Sequence, residues 1–132
     1  MHKEYKMFET DEKKQLFANW LWTVANADGN ITKEEIQILN NIGMSLGLKE
    51  IKYKKIENVT IDNVENTFLL RELFRISISD KDFADAEKKV INNFIKEFNI
   101  KNEIVSATEI WAKTYLENEK RYYETIDKLL AE

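Results

Sequence analysis

The chain has 132 residues, 43% hydrophobic and 33% charged, with a net charge of −4, three glycines, no proline and no cysteine. That length suffices for one ordinary domain with a buried core, and the composition is that of amphipathic helices with charged outer faces rather than of a disordered chain. Disulfides, thiolate zinc sites and thiol nucleophiles are excluded, and the negative balance gives no general attraction to nucleic acid.

Charges in the opening MHKEYKMFETDEKK stand where a secretory signal would need an apolar core. No later segment is long and uncharged enough to span a membrane, so a soluble, cytoplasmic protein is expected. Without prolines, and with apolar residues recurring at helical spacing, the sequence predicts an all-helical fold. A single helical domain over residues 1–132 is expected.

The first helix is predicted from about Thr10, an N-cap followed by Asp11 and Glu12. Leu16, Phe17, Trp20, Leu21 and Val24 form its apolar face, and it ends near Asp28-Gly29. Thr32 caps a second helix, with Glu35 at the reciprocal capping-box position and Ile31 placed to staple onto Ile36. Its core face is Leu39, Ile42 and Leu46, and Gly47 closes it in a left-handed turn. A short helix is expected around Ile51 to Ile56, which makes the basic run KEIKYKK a solvated helix face. Asp62 and Glu65 form another capping pair ahead of a long helix through Phe68, Leu69, Leu73, Phe74 and Ile76, ending near Asp80. A further helix carries Val90, Ile91, Phe94, Ile95 and Phe98, and a C-terminal helical segment over about 102–131 is expected to break near Glu117 to Lys120. The aromatics Trp20, Trp22, Trp111, Tyr122 and Tyr123 sit at core-compatible spacing, with Trp22 off the main stripe and a candidate anchor for a protein partner.

Shifting the sequence by 52 positions lays Leu21–Leu48 over Leu73–Ile100. Trp22 meets Phe74, Val24 meets Ile76, Asp28 meets Asp80, Glu35 meets Glu87, and Asn40-Asn41 meets Asn92-Asn93. Gly47 is matched by Asn99, the other residue type that tolerates the left-handed region. The pattern predicts two helical hairpin repeats, about 12–48 and 64–100, packed about a pseudo-twofold axis.

A helix ending in a small residue plus Asp-Gly, a second helix opened as ITKEE, and a degenerate second copy resemble the tellurite-resistance TerB-like family over about Glu12 to Leu130. The resemblance implies an all-helical fold with a duplicated helical motif in a bacterial cytoplasmic protein. It also implies links to tellurite and other stress responses, protein partners, an association with the inner face of the membrane, and no enzymatic activity. Copy two departs from the pattern at Lys81, which replaces Gly29.

The stretch ANADGNITKEE, Ala25–Glu35, invites comparison with a calcium loop. With Gly29 at the sixth position of an EF-hand, Asn26, Asp28 and Glu35 fall on ligand positions three, five and twelve, but position one is the core residue Val24. Copy two fails further, with Ile76, Ile78 and Lys81 at positions one, three and six, so no EF-hand is present. Another arrangement survives: Asp28, Glu35, Asp80 and Glu87 converge if the hairpins pack symmetrically, with Asp82 as a further oxygen donor. Such a set suits calcium or magnesium, and the resemblance also makes these acids candidates for metal binding. The competing reading is structural: Glu35 caps with Thr32, Asp28-Gly29 makes a turn, and acids are favoured at helix N-termini. Glu87 fits it less well, because Ala84 at the matching cap position has no hydroxyl to reciprocate.

The functional expectation is thus a non-enzymatic binding or scaffold module, with a divalent cation at Asp28, Glu35, Asp80 and Glu87. A metal-independent helical protein-interaction domain is the alternative, and a carboxylate-dependent hydrolase is third, since no placed nucleophile or oxyanion donor accompanies the acids. The sole histidine, His2, is read as incidental, and no small-molecule substrate is indicated.

Overall fold

The computed structural model describes residues 7–79 and 85–131. Among them are five α-helices and no strand: α1 Asp11–Ala25, α2 Lys33–Ser45, α3 Asn63–Ser79, α4 Asp85–Glu97 and α5 Asn102–Ala131. The all-helical expectation holds, and helix starts follow the cap residues. Thr10 Oγ1 accepts the Lys13 N–H at 3.1 Å, removing one of the unpaired donors at the start of α1. Asp62 and Glu65 cap α3 reciprocally, with Glu65 N donating to Asp62 Oδ1 at 2.8 Å and Asp62 N to Glu65 Oε1 at 3.1 Å.

Helix ends are equally local. Gly47 at φ +76° lets the Leu48 N–H reach Gly43 O at 2.7 Å and its own N–H reach Met44 O at 3.1 Å. Asn99 at φ +51° closes α4 in the same way, with Ile100 N on Ile95 O at 3.0 Å and Asn99 N on Lys96 O at 3.3 Å. Both are Schellman caps, each built on a residue type suited to positive φ.

Helix α3 is the hub, packing against all four other helices. Its Leu69, Leu70, Leu73, Phe74 and Ile76 are buried against Phe17, Leu21 and Val24 of α1, Leu39 and Ile42 of α2, and Ile91 and Phe94 of α4. Trp20 packs edge-on to Phe94 at 4.9 Å, which ties α1 to α4. The N-terminal segment joins this core through Phe8, whose ring meets Phe17 edge-on at 4.6 Å and whose N–H donates to the buried Glu65 Oε2 at 2.7 Å.

Three expectations need correction. No helix forms around Ile51 to Ile56; residues 49–62 carry no regular structure. Side chains of α1 take the backbone groups a helix would have used: Asn19 Nδ2 donates to Lys54 O at 2.8 Å, Asn19 Oδ1 accepts Lys54 N at 3.0 Å, and Gln15 Nε2 donates to Lys52 O at 2.8 Å. The expected break near Glu117 to Lys120 is absent too, because α5 is one continuous helix of 30 residues. Ion pairs one turn apart, Lys113–Glu109, Arg121–Glu117 and Lys120–Glu124, lie along its exposed surface. Finally, of the aromatics at core-compatible spacing, Trp20 is half-buried but Trp111, Tyr122 and Tyr123 are exposed, as is Trp22, which lies off the main stripe. Trp22 leans on Tyr53, with ring centres 5.8 Å apart.

Helices α3 and α5 run in the same direction, because Arg71 meets Trp111 and Arg75, one turn on, meets Tyr115, also one turn on. With 17 residues in α3 and 30 in α5, the second helix is longer by about 20 Å at 1.5 Å per residue and overshoots the first. No helix of the described residues is long and apolar enough to cross a membrane.

Candidate functional site

The turn between α1 and α2 is built by short-range bonds. Asn26 N donates to Trp22 O at 3.0 Å, Gly29 at φ +83° takes the left-handed position with its N–H on Asn26 O at 3.0 Å, and Asp28 Oδ1 accepts the Asn30 N–H at 2.9 Å. Thr32 and Glu35 then form a complete capping box: Glu35 N donates to Thr32 Oγ1 at 3.1 Å and Thr32 N to Glu35 Oε1 at 2.9 Å. Capping fully accounts for one oxygen of Glu35. It does not account for its depth, since Glu35 is 2% exposed.

The same site contains Glu87, from the first turn of α4 and 1% exposed. The Glu87 carboxyl lies within hydrogen-bonding reach of that of Glu35. A hydrogen bond between two carboxyls needs a proton on one of them, and burial of two like charges favours that protonation. Burial pushes the Glu35 carboxyl above its ordinary range, and the negative charge of Asp28 pushes in the same direction; the hydrogen bonds from Thr32 and Glu87 oppose this. Two buried acids from two helices therefore meet in a place where charge is costly.

Of the four sequence-predicted ligands, the structure brings Glu35 and Glu87 into contact and sets Asp28 near enough to act on Glu35 through its charge. Asp80 lies outside the described residues, as do Asp82, Lys81 and Ala84. Among the described residues, no three of His, Cys, Asp and Glu are grouped closely enough to hold a metal ion. The described part thus offers two carboxylates in contact with a third charge nearby, a partial fit to a hard cation that takes six to eight oxygens.

Sequence reading missed a second charged cluster. Glu72, buried on α3, accepts from Arg71 Nε and Nη2 at 3.3 and 3.2 Å and from Arg75 Nη1 at 3.3 Å. Arg71 lies over Phe68 at 4.2 Å and Trp111 at 4.9 Å, and Arg75 over Tyr115 at 5.2 Å. The spacing of Arg71 and Arg75 places them on one face of α3, but nothing in the sequence says that α5 lies against that face.

An all-helical fold with two buried acids at the starts of its second and fourth helices defines a small helical module of the paired-acid kind. A family model described as tellurite resistance protein TerB matches residues 2–58, the stretch that carries α1, its turn, α2 and the extended segment. Over that stretch, somewhat under half of the chain, the sequence is similar to the TerB family. No curated protein and no solved structure matches the chain.

Proposed function

We propose that this protein is a non-enzymatic, TerB-like binding or scaffold module of the cytoplasm, acting in a response to chemical stress such as tellurite. In this reading a divalent cation, calcium or magnesium, is held by Glu35 and Glu87 with Asp28 and Asp80. The supporting observation is the contact between the buried carboxyls of Glu35 and Glu87. A hard cation would replace the shared proton and relieve the repulsion that burial magnifies, with Asp28 contributing field and Asp80 an oxygen. The repeat relation belongs to the same reading: α2 and α4 both have 13 residues, both begin near a buried glutamate and both end in a Schellman cap.

Calorimetric titration of metal-free protein with calcium, magnesium, manganese and zinc tests the cation, alongside the Asp28→Asn/Glu87→Gln double variant. Saturable binding that the variant loses, with a matching rise in wild-type thermal stability, supports the site. Absence of binding at roughly millimolar ion, where even weak extracellular calcium modules load, removes it.

The second reading is a metal-independent helical interaction domain, favoured by the overshooting part of α5. Tyr122, Tyr123, Leu129 and Leu130 are exposed there, at 57–79% of their full area, and contiguous apolar surface of this kind marks interaction sites. A carboxylate-dependent hydrolase is the least supported: carboxyls in hydrogen-bond contact stand closer than the roughly 5 Å or more that glycosidase pairs keep.

A further inference from the structure

Because α3 and α5 run side by side in the same direction, a cleft of about 630 Å³ opens between their N-terminal halves. Its walls are mainly apolar, formed by Val64 and Phe68 of α3 and by Ile104, Ala107 and Trp111 of α5. Arg71 is the last α3 residue to line it, so the cleft ends at a cation. A second cleft of about 430 Å³ shares Met7, Phe68 and Arg71 with the first and continues to Arg75, Glu72, Asn41 and Ser45.

Charge in this second cleft is not balanced. Arg71 and Arg75 both use Glu72 as their acceptor, so the three groups sum to one net positive charge beside an apolar channel. Their bonds to Glu72, at 3.2 to 3.3 Å, are longer than the 2.7 to 2.9 Å usual for such charged pairs. Arg75 Nε is buried and has no hydrogen-bond partner. The Arg71 guanidinium lies against both Phe68 and Trp111, which pre-orients its fork for a carboxylate or phosphate.

We propose that the joined clefts bind a small single-chain anionic amphiphile, with its carboxylate or phosphate head on Arg71 and Arg75 and its alkyl chain between α3 and α5. Only this combination matches both halves of the site, since a bare anion leaves the apolar cleft empty and a neutral chain leaves the positive charge unmatched. The volume is within the range of small-molecule sites. The site is separate from the Glu35–Glu87 pair and stands whether or not that pair binds a cation.

The test is calorimetric titration of the full chain with decanoate and decyl phosphate below their micelle-forming concentrations, compared with decanol, inorganic phosphate and phosphatidylglycerol vesicles. Two variants accompany it. Arg75→Met removes one of the two cations while Arg71 still holds Glu72, and Ala107→Phe fills the apolar cleft from an exposed position without altering charge. Saturable binding of decanoate or decyl phosphate, weakened about tenfold or more by Arg75→Met and abolished by Ala107→Phe in a chain of unchanged thermal stability, bears the proposal out. Decanol binding as tightly as decanoate would overturn it in favour of a plain apolar patch. Inorganic phosphate binding as tightly as decyl phosphate would overturn it in favour of a simple anion site. Adsorption to vesicles without capture of free amphiphile, or binding that neither variant changes, overturns it as well.

Discussion

Glu35 of α2 and Glu87 of α4, both buried, bring their carboxyls within hydrogen-bonding reach of each other. The pair joins the starts of two helices that have no capping residue in common. Its protonation is therefore coupled to how these two helices sit together.

The first prediction concerns pH. Burial raises the Glu35 pKa in the folded protein, so the folded chain binds more protons than the unfolded one between the ordinary carboxyl value and the raised one. Stability should then fall as pH rises through that window and level off above it. Glu35→Gln keeps an acceptor for the Thr32 N–H and a donor for Glu87 but cannot ionise, so its melting temperature should lose this component of the pH dependence. Above the window it should equal or exceed that of wild type. Thermal unfolding of both proteins from about pH 4 to pH 8 decides the matter; parallel curves would show that Glu35 does not titrate differently in the fold.

A second prediction concerns Glu65, which is buried and accepts from Phe8 N, Asp62 N and Lys13 Nζ. Glu65→Ala leaves Phe8 N and Asp62 N unpaired, each at about 1–3 kcal/mol, and should destabilise the protein by about 3 kcal/mol in urea unfolding. Lys13→Met removes only a partly exposed partner and should cost under about 1 kcal/mol. Equal effects of the two substitutions would mean that the ion pair, rather than the backbone donors, is what Glu65 serves.

The third prediction concerns Asn19, whose side chain grips both backbone groups of Lys54. Asn19→Ala should cost about 1–3 kcal/mol by leaving these groups without their partner. Hydrogen exchange should quicken at the Lys54 amide while the amides of α3 at Leu69 and Leu70 stay protected, because only the extended segment loses its anchor. Uniform loss of protection across the chain would point instead to α1 as the element being weakened.

How much was legible in the sequence depended on range. Thr10, the Thr32–Glu35 box, the Asp62–Glu65 box and the left-handed residues Gly47 and Asn99 all act within a few positions along the chain, so their bonds follow from residue type and spacing. The apolar faces were legible for the same reason, since 3.6 residues per turn fixes which side chains share a side. The extended stretch 49–62 was not: its helical periodicity was outweighed by Gln15 and Asn19, which lie some 35 positions away. Nor was the fate of the aromatics, because Tyr122 and Tyr123 have core-like spacing on a helix that runs past the helix it packs against.

The sequence by itself determined an all-helical chain, the capped starts of α1, α2 and α3, and that Asp28, Glu35, Asp80 and Glu87 belong to corresponding positions. Only the tertiary structure decided that Glu35 and Glu87 come together, that Asp28 acts on Glu35 through charge, and that Arg71 and Arg75 share Glu72 and face α5. The reason is physical. Caps and periodicity are set by the geometry of one turn, whereas the proton held between two carboxyls and the charge left on two arginines depend on which helix faces pack together, and that is settled by the whole core.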